Sequence, residues 1–541
     1  MKNINRYTLL AGVLAVSMLT SCDFEEINTN QLEMTDEEGI RDGFAMGGNV
    51  LSLQRTVLPV GTQADDTDVI NQYQTSYHLS ADCWSGFFSQ NNDWGGLSHP
   101  NLYLLDGQIK TVYQTAYTAA LAPWKKLKEA SEKNNTPEIY AFAQILKISS
   151  WHKALECFGP MPYIHAADAS LTIPFDAEKD VYVEMFKDLT DAINVLTPLA
   201  ENGTVLMGDY DAVYGGNTQK WVKYANTLLL RLAMRVRFAD EALSKQYVTQ
   251  ALKHSIGVMT DKADAAQMSR GAGFIFRNNI HWLSEQYNET RMGSSIFSYL
   301  MGYEDPRLAA YFKPVDANCN FGEEAFDGNE YQAVPAGHRK GQNDTYKSFS
   351  KPNITEDTPT YWMRASEAYF LRAEAALVWP EFGDAESLYK QGVAMSFEEN
   401  GVSSSVDSYL NSTKVPTAHQ FGGNFGGNFG TPKAVNPKFE GNNEQKLEKI
   451  MIQKWIALYP NGLEAWTEWR RTGYPDLNPV QVNSGASNGV TVEKGIRRLI
   501  YPTSFYDNDK NKEIYQDAVK KLNGGRDVAT TRLWWDCKPG N

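Results

Sequence analysis

Apolar residues return at steps of three and four along several stretches of the chain, the spacing that lays them on one face of an α-helix. Residues 108–133, 137–158, 180–199 and 218–240 carry this pattern, and 241–256 repeats it over a shorter length. The expected stops are chemically marked. Gly159-Pro160-Met161-Pro162 follows the second stretch, and prolines without an N–H and with φ fixed cannot prolong a helix. Thr197-Pro198 marks the end of the third in the same way. Few segments alternate as half-buried strands do. Successive helices with short breaks predict an all-α, layered architecture.

A helix pair is expected over 361–397. Ala365, Ala368, Tyr369, Ala373, Ala376 and Leu377 give the first helix a face rich in small residues, 381–384 make the turn, and Ala385, Tyr389 and Gly392 lie on the second helix. Small, aromatic and small residues at steps of four and three match the second helix of a tetratricopeptide repeat. A generic antiparallel pair is the plain alternative. A further aromatic-rich pair at 447–459 and 463–471 favours the repeat-like scaffold, with Leu447, Ile450, Met451, Trp455, Leu458 and Tyr459 as a buried stripe. Between the helices lie long irregular insertions, 82–102, 270–294, 312–357 and 403–443, rich in Gly, Asn, Asp and Pro. Loops of that length usually carry function. The Phe-Gly-Gly-Asn repeat of 421–430 reads as a mobile surface loop, with contact of its Phe residues to a partner or ligand as the alternative.

The N-terminus changes the picture of where the protein works. Lys2 and Arg6 precede an apolar run over 9–19, which Thr20-Ser21-Cys22 closes. This is similar to a bacterial lipobox, with cleavage before Cys22 and lipidation of its sulfur; an ordinary secretory signal with a chance cysteine is the alternative. Glu25 and Glu26 resemble the surface-export signals of Bacteroidetes lipoproteins. The organisation expected is a signal peptide at 1–21, a lipidated tether at 22–40 and one helical domain over 41–541. The apolar run is too short to span a bilayer, and 225–238 is interrupted by Arg231, Arg235 and Arg237. Cys83, Cys157, Cys319 and Cys537 show no CxxC spacing, so they are expected as buried small hydrophobes, although an oxidising compartment permits disulfides.

With 51 Lys and Arg against 65 Asp and Glu, a net charge of −14 and no basic cluster, the chain is poorly suited to nucleic acid. A neutral or cationic ligand fits better. Enzyme signatures fail: Gly485-Ala486-Ser487-Asn488-Gly489 matches a nucleophile elbow but sits in a polar loop, and every histidine precedes it. No phosphate cradle or dinucleotide turn occurs, and no cofactor or metal is expected; Asp65, Asp66 and Asp68 read as a solvated turn before a Ca²⁺ site. A carboxylate-pair glycosidase is the enzyme alternative. Ligand chemistry concentrates in two segments. Trp84, Asn91, Asn92, Asp93 and Trp94 combine indoles with short amides and a carboxylate, and Trp282, Tyr287 and Arg291 repeat the combination beside His281 and Asn288. An indole stacks on the C–H face of a sugar ring while amides and carboxylates take its hydroxyl rim. Core anchoring is the alternative for Trp84, Phe87 and Phe88.

These motifs jointly resemble the SusD/RagB family of outer-membrane lipoproteins. The resemblance rests on the lipobox, the 159–163 turn, the helix Arg364-Ala365-Ser366-Glu367-Ala368-Tyr369, the segment 448–458, Glu464-Ala465-Trp466, Arg470-Arg471-Thr472-Gly473, Arg497-Arg498-Leu499-Ile500-Tyr501-Pro502 and Arg532-Leu533-Trp534-Trp535-Asp536. It spans nearly all of the mature chain. It implies a tetratricopeptide-like scaffold with a loop-built ligand region, and a lid on a SusC-like TonB-dependent transporter that captures oligosaccharides, or in some relatives peptides, at the cell surface. It implies no catalysis. The Arg470-Arg471-Thr472-Gly473 run reads as structural or transporter-facing.

Overall fold

The long periodic stretches fold as helices in the computed structural model, which describes residues 44–60, 67–92, 100–105, 110–170, 172–269, 276–316, 320–321, 324–325, 330–337, 345–422, 426–507 and 509–541. The expected signal peptide and tether, with Cys22, lie outside these residues. Asn49–Asn541 form one compact unit, and only 44–48 are described of the unit before it.

Helices α1 (Phe44–Val57) and α2 (Asp68–Tyr73) come first, and α2 continues as a π-helical turn through Gln74–Asp82. Then come α3 (Ala119–Asn134), α4 (Pro137–Phe158), α5 (Glu178–Glu201), α6 (Thr218–Arg235) and α7 (Glu241–Lys253), and from α4 onward each packs on the helix before. Shorter α8 (Asn279–Glu285) and α9 (Ser294–Tyr303) follow. The second half contributes α10 (Ala365–Val378), α11 (Ala385–Glu399), α12 (Asn443–Leu458), α13 (Gly462–Thr472) and α14 (Asp509–Lys521). α10 is the junction, packed on α6, α11 and α12. Helix starts follow capping chemistry: Asn217, Asp240, Asp384, Asn442 and Asn461 each accept a backbone N–H from the first turn of the helix they open. No described helix is long and apolar enough to cross a membrane.

Several boundaries differ from expectation. α5 runs past Pro198 to Glu201, because a proline in the last turn forfeits a single helical bond. α6 stops at Arg235, since Asp240 must leave helical geometry to cap α7. The expected start at Tyr361 is instead a strand, Thr360–Met363, paired antiparallel with Ala266–Met268. The tetratricopeptide-like pair itself is built as its composition requires: a Cβ on Gly392 would lie 2.8 Å from the Phe370 ring, so only glycine lets α11 approach α10 there. Cys83 and Cys157 are buried free thiols, whereas Cys537 is exposed, contrary to the buried role expected of it; Cys319 lies outside the described residues. The repeat at 421–430 is not simply a mobile loop. Its described part is a hairpin, His419–Phe421 against Gly427–Gly430, with Phe429 buried and the Phe421 and Phe429 rings 4.7 Å apart.

The family-like motifs cap a buried helix end. The last carbonyls of α4 have no intrahelical partners. Gly159 N–H donates to Leu155 at 2.8 Å, Arg470 to Glu156 at 2.7 Å, Leu499 N–H to Cys157 at 2.8 Å and Arg498 to Phe158 at 2.8 Å. Arg470 and Arg471 are fully buried, which resolves that motif as structural and not transporter-facing.

Glu178, the first residue of α5, is buried and accepts the Trp534 N–H at 3.0 Å. Burial pushes its carboxyl up from 4.5 to about 8, against the lowering effect of the Trp534 bond. The folded protein therefore holds this proton over a pH range in which the unfolded chain has released it. Stability linked to the proton is complete below 4.5 and is lost as pH rises through 8. Glu178→Gln keeps an acceptor and removes the titration. Its melting temperature is expected to exceed the parent's above pH 8 and to converge with it at acid pH; curves separated equally at both would contradict the assignment.

Candidate ligand-binding site

The four irregular insertions converge on one platform. The strand Phe88–Gln90 pairs antiparallel with Thr290–Met292, setting Ser89 opposite Arg291 and Gln90 opposite Thr290. The approach is close: a Cβ on Gly293 would lie 2.6 Å from the Gly86 carbonyl oxygen, so glycine is required where the first two insertions meet. The third joins through backbone bonds, Met292 N–H to Ser350 at 2.8 Å and Val334 N–H to Met292 at 2.9 Å. The fourth joins at the hairpin, where the His419 imidazole lies 2.8 Å from the Ser294 hydroxyl and 3.2 Å from Gln332 Oε1. Val334, Tyr346 and Phe349 make a small core beneath it, with Phe421 against them.

Among the predicted site residues, three are ties within this platform. Trp84 is only 6% exposed; its indole N–H donates to the Pro100 carbonyl at 2.8 Å and its ring lies 4.9 Å from Trp466. Contrary to the stacking role expected of it, it presents no open face. Arg291 is buried and spends its guanidinium on the carbonyls of Thr290, Tyr346 and Lys347, at 2.7–3.2 Å, and on the Asn288 side chain. It straps the second insertion to the third. Asn91 is buried too, donating to the Asn288 carbonyl at 2.8 Å while its Oδ1 accepts the Tyr346 N–H at 2.8 Å.

The rim is formed by others. Asn92 is half-buried and donates to the Tyr287 carbonyl at 3.3 Å. Tyr287, also half-buried, donates its hydroxyl to Asn71 Oδ1 at 2.9 Å, and its ring stands edge-on to Trp282 at 6.4 Å. The Arg277 guanidinium lies 3.8 Å over the Trp282 ring and fixes its plane. Asp93 and Trp94 lie outside the described residues. The sequence reading missed Arg277, Asn71 and Tyr346. No local spacing joins Asn71 to a tyrosine 216 positions away.

Among the described residues the platform is an aromatic and amide surface. Gly485–Gly489 forms a 3₁₀ turn over Ala486–Asn488 rather than the strand-to-helix elbow a nucleophile needs. One described group has the spacing of a metal site: His152, Glu156 and Glu464, with potential ligand atoms within 4.8 Å. Its chemistry is that of an ion-pair network instead. Both carboxylates bind Arg235, at 2.8 and 2.5 Å, and the His152 Nδ1–H donates to the Ile148 carbonyl at 2.7 Å. Burial first, and the nearby Lys153 and Arg231 charges next, hold the imidazole well below its ordinary range.

A helical scaffold that carries a loop-built binding platform is the class defined by this geometry. The chain belongs to the SusD-like family, described as SusD and RagB outer membrane lipoproteins, whose profile matches residues 26–536. Solved structures agree over nearly full length. A SusD homologue from Bacteroides uniformis is 32% identical with a TM-score of 0.82, covering 92% of this chain and 100% of that one. A chitin-binding SusD homologue from Flavobacterium johnsoniae is 31% identical with a TM-score of 0.81, covering 91% and 99%. A third homologue, from Bacteroides vulgatus, is 30% identical with a TM-score of 0.81, covering 93% and 100%. No curated protein is significantly similar in sequence.

Proposed function

We propose that this protein is a non-catalytic, surface-exposed outer-membrane lipoprotein, anchored through Cys22, that captures oligosaccharides and closes as a lid over a SusC-like TonB-dependent transporter. The observation that carries the reading is the convergence of four insertions into a platform rimmed by Asn92, Trp282 and Tyr287. Asp93 and Trp94 follow Asn92 directly in sequence and complete the proposed ligand contacts. Family membership supports the outer-membrane role, and the chitin-binding relative supports a glycan as ligand. The chemistry agrees: indole and phenol rings offer faces to pyranose C–H surfaces, and amides and carboxylates offer paired hydrogen bonds to hydroxyls. Trp84, Asn91 and Arg291 serve by holding the loops in register.

The experiment is calorimetric titration of residues 23–541 with chitooligosaccharides, other neutral oligosaccharides and short peptides. Heat from a glycan class is expected, with affinity as weak as millimolar, about −4 kcal/mol, for the lid without its barrel. Heat from peptides alone would replace the ligand class, affinity then resting on backbone hydrogen bonds.

A further inference from the structure

A second cleft, of about 290 Å³, lies between the Trp84 segment, the C-terminal end of α13 and the chain that follows it. It shares none of Asn92, Trp282 and Tyr287 with the proposed glycan site. Its aromatic walls are Tyr103 and Trp469, its acidic side chains are Asp476 and Glu493, and none of its lining residues is Lys, Arg or His. Tyr103 is the unusual member. It is 8% exposed, its backbone is held at φ +62, and its hydroxyl has no hydrogen-bond partner among the described residues. A tyrosine in the left-handed region costs backbone energy.

The hydroxyl meets the Trp469 ring over Gly495. A Cβ there would lie 3.3 Å from Tyr103 Oη and 3.2 Å from the Trp469 ring. The Trp469 indole N–H is likewise without a partner among the described residues, and Trp469 is only half-buried. The cations around the cleft are engaged elsewhere or stand outside it. Arg497, 5.5 Å from the Trp469 ring centre, is held by Asp536. Lys433 pairs with Glu448 at 2.7 Å while its backbone N–H donates to Asp476 at 2.7 Å. Hydrogen bonds from its own backbone and from Thr491 hold the exposed Glu493 carboxyl below its ordinary range, and the charge of neighbouring Lys494 adds to this.

We propose that this cleft binds a small cationic ligand, an alkylammonium or protonated amine on an apolar body, seated between Tyr103 and Trp469 with its charge toward Glu493 and Asp476. The ring quadrupoles attract a cation held over their faces, and the carboxylates add to the attraction at the mouth. Tyr103 Oη and the Trp469 N–H give polar substituents on the ligand an acceptor and donors. The volume limits the occupant to a small molecule.

The probe is choline, with dimethylbutanol as its uncharged isostere, titrated into residues 23–541 and followed by tryptophan fluorescence and ligand-detected NMR. Choline is expected to bind about tenfold more tightly than dimethylbutanol, and to lose about tenfold in affinity in Trp469→Leu and in Glu493→Gln. Glu493 is exposed, so its variant keeps the fold and separates loss of the site from loss of structure. Equal binding of the two probes would overturn the proposal, as would no choline binding at millimolar concentration. Displacement of choline by a neutral oligosaccharide would overturn it as well, assigning the cleft to sugar. None of these results bears on the glycan platform, which is tested by its own variants.

Discussion

Replacing Arg471 with methionine is expected to destabilise the protein by about 3–5 kcal/mol, the cost of leaving buried carboxylates without their partner. Arg471 is completely buried in α13. It donates to both Glu374 oxygens at 2.8 and 2.7 Å and to both Glu468 oxygens at 2.9 and 2.7 Å. Burial works against its charge, and Glu374 and Glu468 more than offset that, so its pKa lies above the ordinary arginine value. Burial likewise disfavours an ionised Glu468, yet Arg471, Lys454 and Arg235 hold its carboxyl well below the usual range. The network continues through Arg235 to Glu156 on α4 and Glu464 on α13, and Arg231 on α6 meets Glu367 on α10 at 2.6 Å. With Lys454 of α12 on Glu468 at 3.0 Å, five helices of the scaffold are thus held in register by charge. The double variant Arg471→Met, Glu374→Leu is expected to lose less than the sum of the single variants, because it removes charge in pairs. Thermal and denaturant unfolding check this; a single variant with an unchanged melting temperature would refute the coupling.

Cys22→Ala is expected to move the protein from the membrane fraction to the soluble one. The proposed function rests on the lipobox resemblance at 19–22, which implies lipidation at the Cys22 sulfur, and no described helix is long and apolar enough to cross a membrane. Acyl chains bury about 0.8 kcal/mol per methylene, so removing them removes the anchoring energy itself. Fractionation of cells expressing the full chain reads the result. A variant that remained membrane-bound would require attachment through a protein partner.

The helical scaffold was legible because its signals are local. Periodicity and Gly159-Pro160 act within a few residues, and α4 begins and ends where the pattern places it, Pro137 to Phe158. The small residue at Gly392 reported the approach of α10 and α11 for the same reason. The strand at Thr360–Met363 was not legible, since its partner lies at Ala266–Met268 and pairing, not propensity, decides its state. The site was legible in composition and not in role. Trp84 and Trp282 have the same side chain, but Pro100 and Trp466 enclose the first, whereas Arg277 braces the second at the rim. Arg291 looked like a ligand-binding arginine because nothing in its own segment foretells the carbonyls of Tyr346 and Lys347 that consume its donors. The buried charge network was invisible for a related reason. The Arg470-Arg471 run reads as structural or transporter-facing, and its carboxylate partners become visible only when α4, α6 and α10 surround it.

The central claim is that the rim of the four-insertion platform binds glycan while its buried ties only build it. The most direct measurement is the affinity of one oligosaccharide for the parent, for the double variant Trp94→Ala, Tyr287→Ala, and for Trp84→Phe, each confirmed folded by its melting curve. Loss of two stacking faces is expected to weaken binding by about tenfold or more. Trp84→Phe is expected to lower the melting temperature and leave affinity nearly unchanged. Parent-like affinity in the double variant, or loss of affinity in a stably folded Trp84→Phe, would contradict the account and place the sugar elsewhere on the molecule.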